Sequence, residues 1–588
     1  MLREGLDAYI VLALDPHKSI AIADHWKTVQ WMTGFSGWVC TLVLTNKEAG
    51  FWTDGRYVAQ AARELPKDII ERHCISDPAD ESYVNWLIRR LPEGASVGLD
   101  GSIASKADVD RLSHQLARKK ICVLPQYDFI GDIWDERPDI PSNPLFELEI
   151  TYSGMSRADK LALIRNIMEK EGADYYLLSA LDNIAWLTNL RGADSPLYPI
   201  FHAYMLVSMH EAVLFTKIEK LSSALIKNLD EDGIIVRDFD EITTYLKRLP
   251  QTGGLYYDPN YTAYSLANAI PHEIFKIEAL DIVTKVKAIK NPIEQGNLKK
   301  ANIQEAVCAT RLIKYIKDNI GRIPLDEYHI GQWINKERAK FPEFLKPANV
   351  PIVGCEDHAV QLHYRPTPDK SAILPQAGFL LFDLCAHYLN GSTDITRTIA
   401  LGEITESMRR DYTLVLKSQI KLATQKFLYG VTGPELDAVA KSLIWNEGLN
   451  NPAGTGHGMG YCLYIQEGPC KIAIDPSPYF YAMMSTPIEP GMLFSNEPGI
   501  YKKGLYAIRL ENSILTHEDI TNEFGRFLSF ETVTFIPYEL SCVDFSMMTA
   551  EEKQWLNDYN KTVYDTISPY LDNDEAKWLK SITIDYTY

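Results

Sequence analysis

Between residues 379 and 511 the chain carries four carboxylates and one imidazole in segments able to bring side chains close together. His457 lies in "NNPAGTGHGMGYCLYIQEGP", bracketed by Gly456 and Gly458, and only Glu467 in that stretch could join it in acid–base chemistry. Asp383 and Asp394 lie in "GFLLFDLCAHYLNGSTDITRT", and Glu497 and Glu511 in "LFSNEPGIYKKGLYAIRLEN". Carboxylates gathered on a buried face repel one another, so protons, basic side chains or metal must neutralise them. Two divalent cations would balance four such charges, and His457 would add a nitrogen. Oxygen ligands with one imidazole suit manganese, cobalt, iron or zinc better than magnesium. Each residue also has a plainer reading: an Asp before a hairpin turn shapes the turn, and a lone strand Glu faces solvent.

The elements decide between these readings. In the first segment an apolar run ends at Asp383 and Asn390-Gly391 signals a tight turn. A turn there pairs 387 with 394, so the two aspartates share a face but stand four residues apart, ~13 Å at strand rise. A common ion then requires a wider or bulged loop. In the second segment a loop centred on Gly504 sets Glu497 opposite Glu511. Pro498 denies that strand one donor, as at a strand end beside a site.

The rest of the chain sets bounds. Its 588 residues are too many for one core. A net charge of −19 without a basic patch argues against nucleic acid as a partner. Nine scattered cysteines without a CxxC pair suggest neither a disulfide framework nor a structural zinc, and no apolar run is long enough to cross a membrane. A cytoplasmic protein is the expectation. Short β-branched runs alternate with helical pattern through 1–150, and the rhythm restarts after the proline-rich "DERPDIPSNPLFELEI" to fill 151–292. Long helices and then acidic, glycine-rich strand pairs mark a third domain over 293–540, followed by a helical C-terminal appendage over 541–588.

Taken in order, "FDLCAHYLNGSTDITRT", "GTGHGMG", "EGP", "SNEPGIY" and "AIRLEN" resemble the pita-bread metallopeptidases, most closely the long three-domain Xaa-Pro aminopeptidase (aminopeptidase P) family. "FWTDGRYVAQA", "SRADKLALIR" and "ALDNIAWLTNLRG" extend the likeness over nearly the whole chain. The resemblance implies two creatinase-like N-terminal α/β domains followed by a pita-bread metallopeptidase domain. It implies two divalent ions per protomer, commonly Mn2+ with Zn2+ or Co2+ as alternatives, held by Asp383, Asp394, His457, Glu497 and Glu511. An activated water attacks the scissile carbonyl, and Glu497 takes its proton and passes it to the leaving proline nitrogen. His363, in "VQLHYRP", matches a histidine near the leaving group and substrate, and Arg509 matches an arginine beside the carboxylates. Arg56, in "WTDGRY", matches a residue that binds peptide, across a homodimer. Without the family, His363 reads as a loop histidine, Arg509 as a structural ion-pair partner and Arg56 as a solvated turn residue.

The chain also departs from the family. Relatives carry "HGTGHG…VHEGP", with histidines four before and nine after the metal histidine, where this chain has Ala453 and Gln466. Glutamine donates a hydrogen bond but carries no proton at neutral pH, so reduced or redirected activity is expected. His387, where relatives more often show glutamine, is expected at the surface of the hairpin tip. The leading expectation is an aminopeptidase cutting peptides with proline second. A prolidase-like hydrolase and a non-catalytic peptide- or protein-binding relative are the alternatives.

Overall fold

The runs "AYIVL", "CTLVLT" and "AGFWT" form strands, as their β-branched and aromatic content favours. The computed structural model describes residues 1–77, 79–474 and 481–584. They form two compact units: Met1–Leu148 with Met155–Val283, and Glu149–Gly154 with Thr284–Tyr588. The last four residues of the appendage, 585–588, lie outside the described residues.

The first unit holds two six-stranded sheets. One runs in the order Ile70–Cys74, Ala49–Thr53, Cys40–Thr45, Ala8–Leu12, Ser96–Leu99, Cys122–Leu124. The pairings of Cys40–Thr45 with both its neighbours are antiparallel and the other three parallel. The second sheet repeats both order and directions with Ile234–Arg237, Ala212–Thr216, Ala203–Ser208, Tyr175–Leu178, Gly254–Tyr257, Phe275–Glu278. The repeated rhythm of the sequence is therefore a repeat of topology. "SRADKLALIR" opens a helix at Arg157–Glu171, where Ser156 accepts from the Asp159 amide as N-cap.

The second unit is α+β. Asn291 and Glu294 cap each other reciprocally and Pro292 fills the first turn, which starts the long helix Pro292–Asn319. Strands Phe379–Tyr388 and Gly391–Ala400 form a hairpin within a four-stranded sheet. A six-stranded sheet contains Gly456–Gly458, Glu467–Ile472, Leu493–Asn496 and Asn512–Asn522. Helices Pro292–Asn319, Glu406–Ala423 and Ala550–Ile567 cover one continuous core that includes Leu312, Phe382, Ile395, Leu416, Ile508, Tyr538 and Val563. Each such side chain stabilises by about 1.5–3 kcal/mol. That core fixes the strands carrying the acidic residues. Among the described residues no helix is long and apolar enough to cross a membrane.

Candidate metal centre

The hairpin register is Tyr388↔Gly391, Cys385↔Asp394 and Asp383↔Thr396. The turn therefore comes one residue earlier than Asn390-Gly391 predicts, and no bulge is needed: Asp383 and Asp394 are diagonal neighbours on one face. Gly391 begins the return strand at φ 144°, and a β-carbon there would press to 2.8 Å from Leu298 of the long helix. The expectation of a surface His387 is overturned as well: it is fully buried and lies 2.9 Å from Ser392 Oγ, which also accepts from the Cys462 amide.

The glycines around His457 are set by close packing. A β-carbon on Gly456 would collide with the Ser495 carbonyl, and one on Gly458 with the Glu467 carbonyl. Asp437, on helix Gly433–Trp445, anchors the segment by accepting from the Thr455 amide (3.0 Å) and hydroxyl (2.5 Å) and from the Ile474 amide (2.8 Å). Ser495 Oγ accepts from the His457 amide at 3.0 Å. His457 Nδ1 lies 3.0 Å from the Gly458 carbonyl. A carbonyl only accepts, so Nδ1 carries the hydrogen and the Nε2 lone pair faces the carboxylates.

The last segment keeps one register across two ladders, Asn496↔Asn512 and Gly499↔Arg509, which sets Glu497 across from Glu511 as the glycine-centred loop predicts. Glu511 is 1% exposed. Its Oε2 accepts from Thr396 Oγ1 at 2.7 Å, while Oε1 is buried with no hydrogen-bond partner among the described residues. The buried Arg509 donates to Asp383 Oδ2 (2.6 Å), Tyr501 Oη (2.9 Å) and Thr396 Oγ1 (3.2 Å), with Glu497 Oε2 3.9 Å away.

The five groups converge. Asp394, His457 and Glu511 each offer a donor atom within 4.8 Å of the others, as do Asp383, Cys385 and Asp394. His457 Nε2 is 3.6 Å from both Asp394 Oδ2 and Glu497 Oε1. These gaps exceed a hydrogen bond, but two donors each ~2.1 Å from a shared ion stand roughly 3.5 Å apart. Burial, then the Asp383 charge, pushes Asp394 well above the usual carboxylate range, and burial with Asp394 and Glu497 does the same to Glu511. Burial raises Glu497 to about 7 despite the Arg509 charge. Burial lowers His457 to about 4, with the Lys471 charge adding to the effect, so the ring is neutral and available as a ligand. Lys471 is its cross-strand partner. Burial works against the Arg509 guanidinium, yet Tyr501, Asp383 and Glu497 hold it charged. One guanidinium cannot offset four carboxylates, so the crowded acids, the orphaned Glu511 oxygen and the neutral imidazole fit divalent cations.

The other predicted residues lie elsewhere. His363 is exposed in the turn after the short helix Glu356–Val360, and both converging groups form without it. Arg56, in the first unit, is exposed and paired with Asp54 at 2.5 Å. Gln466 is exposed and Ala453 half-buried. Glu467 is buried between Lys287 (2.5 Å) and Lys290 (2.6 Å), a structural ion triad. Sequence reasoning missed Asp437, Thr396 and Cys385. Cys385 and Thr396 left a signal, each two residues after an aspartate of the site and hence on the same strand face, while Asp437 left none.

The Creatinase/Prolidase N-terminal domain matches residues 1–126 and, in a second form, 136–294. The Metallopeptidase family M24 matches 296–518, and the C-terminal region of peptidase_M24 matches 526–585. The chain is 33% identical over its whole length to a probable Xaa-Pro aminopeptidase P of Pyricularia oryzae, covering 97% of that protein. It is 31% identical over 99% of its length to Xaa-Pro aminopeptidase 1 of Dictyostelium discoideum, covering 94% of it. The crystal structure of X-prolyl aminopeptidase from Caenorhabditis elegans, described as a cytosolic enzyme with a di-nuclear active site, superposes with a TM-score of 0.91. That match has 27% identity and covers 98% of this chain and 95% of the other. The two creatinase-like α/β domains and the pita-bread domain expected from sequence are thus both present. With converging carboxylates on a glycine-framed histidine and relatives matched from end to end, the chain belongs to the Xaa-Pro aminopeptidase P family of M24 metallopeptidases.

Proposed function

We propose that this chain is a dinuclear metal-dependent aminopeptidase that releases the N-terminal residue from peptides with proline second. The observation that carries this reading is the convergence of Asp383, Asp394, His457 and Glu511, with Glu497 at its edge. The names of the relatives supply the substrate class, and the worm enzyme's description supports two ions in the cytosol. Bound divalent cations, manganese first and zinc or cobalt as alternatives, supply Lewis acidity and make water nucleophilic near neutral pH.

The chain's own residues do the rest. Asp383, Asp394, His457, Glu497 and Glu511 hold the ions. Glu497 has the most exposed side chain of the converging acids, at 20%. It therefore suits a general base that takes a proton and returns it to the leaving proline nitrogen. Arg509 orients Asp383 through a 2.6 Å ion pair. His363, on its exposed turn, approaches the leaving side of a bound peptide, and Arg56 binds peptide across a homodimer. With Ala453 and Gln466 in place of two family histidines, turnover is slowed: the alanine offers no side-chain donor and the glutamine carries no proton, and one lost donor to a developing oxyanion alone costs ~3 kcal/mol.

Metal analysis and a peptide-library digest on one preparation test this. Two ions per chain with release of the first residue from Xaa-Pro peptides is the expected result. Cleavage of dipeptides alone would move the reading to a prolidase. Peptide binding without turnover in any metal would make the chain a binding relative, a reading the two missing histidines favour.

A further inference from the structure

Cys385 stands directly opposite Asp394 in the hairpin and two residues from Asp383, so strand alternation turns its side chain to the same face. Its sulfur lies 2.9 Å from Asp394 Oδ1 and 3.6 Å from Asp383 Oδ1. Cysteines inside proteins usually pack as small hydrophobes. This one, 6% exposed, presents its sulfur to two carboxylates that already converge as candidate ligands. A second observation points to an ion at the adjoining group: Asp394 also converges with His457 and Glu511, and Glu511 has a buried oxygen with no hydrogen-bond partner among the described residues.

We propose that Cys385 is a sixth donor of the metal centre, its sulfur binding a cation beside Asp383 and Asp394. This rests on the metal-centre reading above and extends it to metal selectivity. A thiolate is a soft ligand, so its presence shifts the preference of an otherwise oxygen-rich site from manganese toward zinc and cobalt. The sulfur–metal bond replaces the S–H bond, and the proton leaves to solvent with no change in oxidation state.

Cobalt(II) titration of the metal-stripped full-length protein separates the outcomes. Visible ligand-field bands report cobalt binding at any ligand set, whereas a near-ultraviolet sulfur-to-cobalt charge-transfer band appears only with a thiolate ligand. The expected result is both bands in the native chain and loss of only the second in Cys385→Ser and Cys385→Ala. Zinc affinity relative to manganese then falls roughly 10–100-fold, the scale on which supporting groups alone already act. Cobalt binding without charge transfer in the native chain, or a charge-transfer band that survives both substitutions, overturns the proposal and leaves the metal centre standing. Failure of cobalt, zinc and manganese alike to bind overturns both.

Discussion

Glu511 has one oxygen on the Thr396 hydroxyl and the other buried without a hydrogen-bond partner among the described residues, an arrangement that costs ~1–3 kcal/mol when nothing compensates it. If a cation is the missing partner, Glu511→Gln should not lower the melting temperature of the metal-free protein, because the amide keeps the shape and removes a repelling charge. Metal affinity should fall roughly 10–100-fold or more, judged against the loss from mutating mere supporting groups. Calorimetry and metal titration check the pair of outcomes, and a residue that only braces its strand would do the reverse. Gln466 tests the other side of the chemistry. Being exposed, it tolerates a ring of similar length, so Gln466→His should fold normally. Restoring a group that can carry a proton should raise kcat by up to about 10²–10³ with KM little changed, since the gain is confined to the transition state. Equal kcat in both proteins would show that the family histidine has no missing role to fill here.

At the scale of elements, legibility followed the range of the forces involved. Gly504 at φ 75° marks its turn locally, so the register bringing Glu497 to Glu511 could be worked out in advance. The hairpin of Asp383 turns one residue earlier than expected because Asn390-Gly391 carries a strong local turn signal, while Leu298, 93 positions earlier in the chain, decides where Gly391 sits. His387, for which hairpin-tip chemistry alone predicts exposure, is buried beside Ser392 and the Cys462 amide, on the strand face opposite the one whose Ala386 and Tyr388 pack on Ala301 of the Leu298 helix. Asp437 and Arg397 were illegible for a similar reason. Arg397 is fully buried and donates to the Glu511 carbonyl (2.6 Å), the Ile536 carbonyl (2.8 Å), Asn512 Oδ1 (2.8 Å) and Tyr559 Oη (3.1 Å), tying the Ala550–Ile567 helix to the strands of the site. Nothing beside it in the sequence names those partners. Asp437 offers the sharper test. Asp437→Ala strips acceptors from the Thr455 and Ile474 amides and leaves Lys441, paired at 2.9 Å, buried alone. Breaking such a pair costs about 3–5 kcal/mol. The expected result in chemical denaturation is a loss of that size, together with weaker metal binding because the His457 segment loses its anchor.

At the scale of the whole molecule, the charge gathered in the centre links folding, pH and metal. Burial raises Asp394, Glu497 and Glu511 above the range in which unfolded carboxylates ionise, with Glu497 reaching about 7. Between about pH 4.5 and 7 the folded metal-free chain therefore binds more protons than the unfolded chain, and its stability falls as pH rises through that window. For Glu497 alone the loss is on the order of 3 kcal/mol. His457, lowered to about 4, acts in the opposite sense between roughly 4 and 6.5, one group against three. Histidines elsewhere, such as the buried His17 at about 4, also tilt the curve of the whole protein. Comparing metal-loaded with chelator-stripped protein at each pH cancels those distant groups and isolates the centre. Cations replace the protons that the acids would otherwise need, so the gap in melting temperature should be small near pH 5 and widen steadily to pH 7.5. A gap that stays constant or narrows over that range would mean that the acids do not confront one another without metal, and that the cage is not built from buried carboxylates.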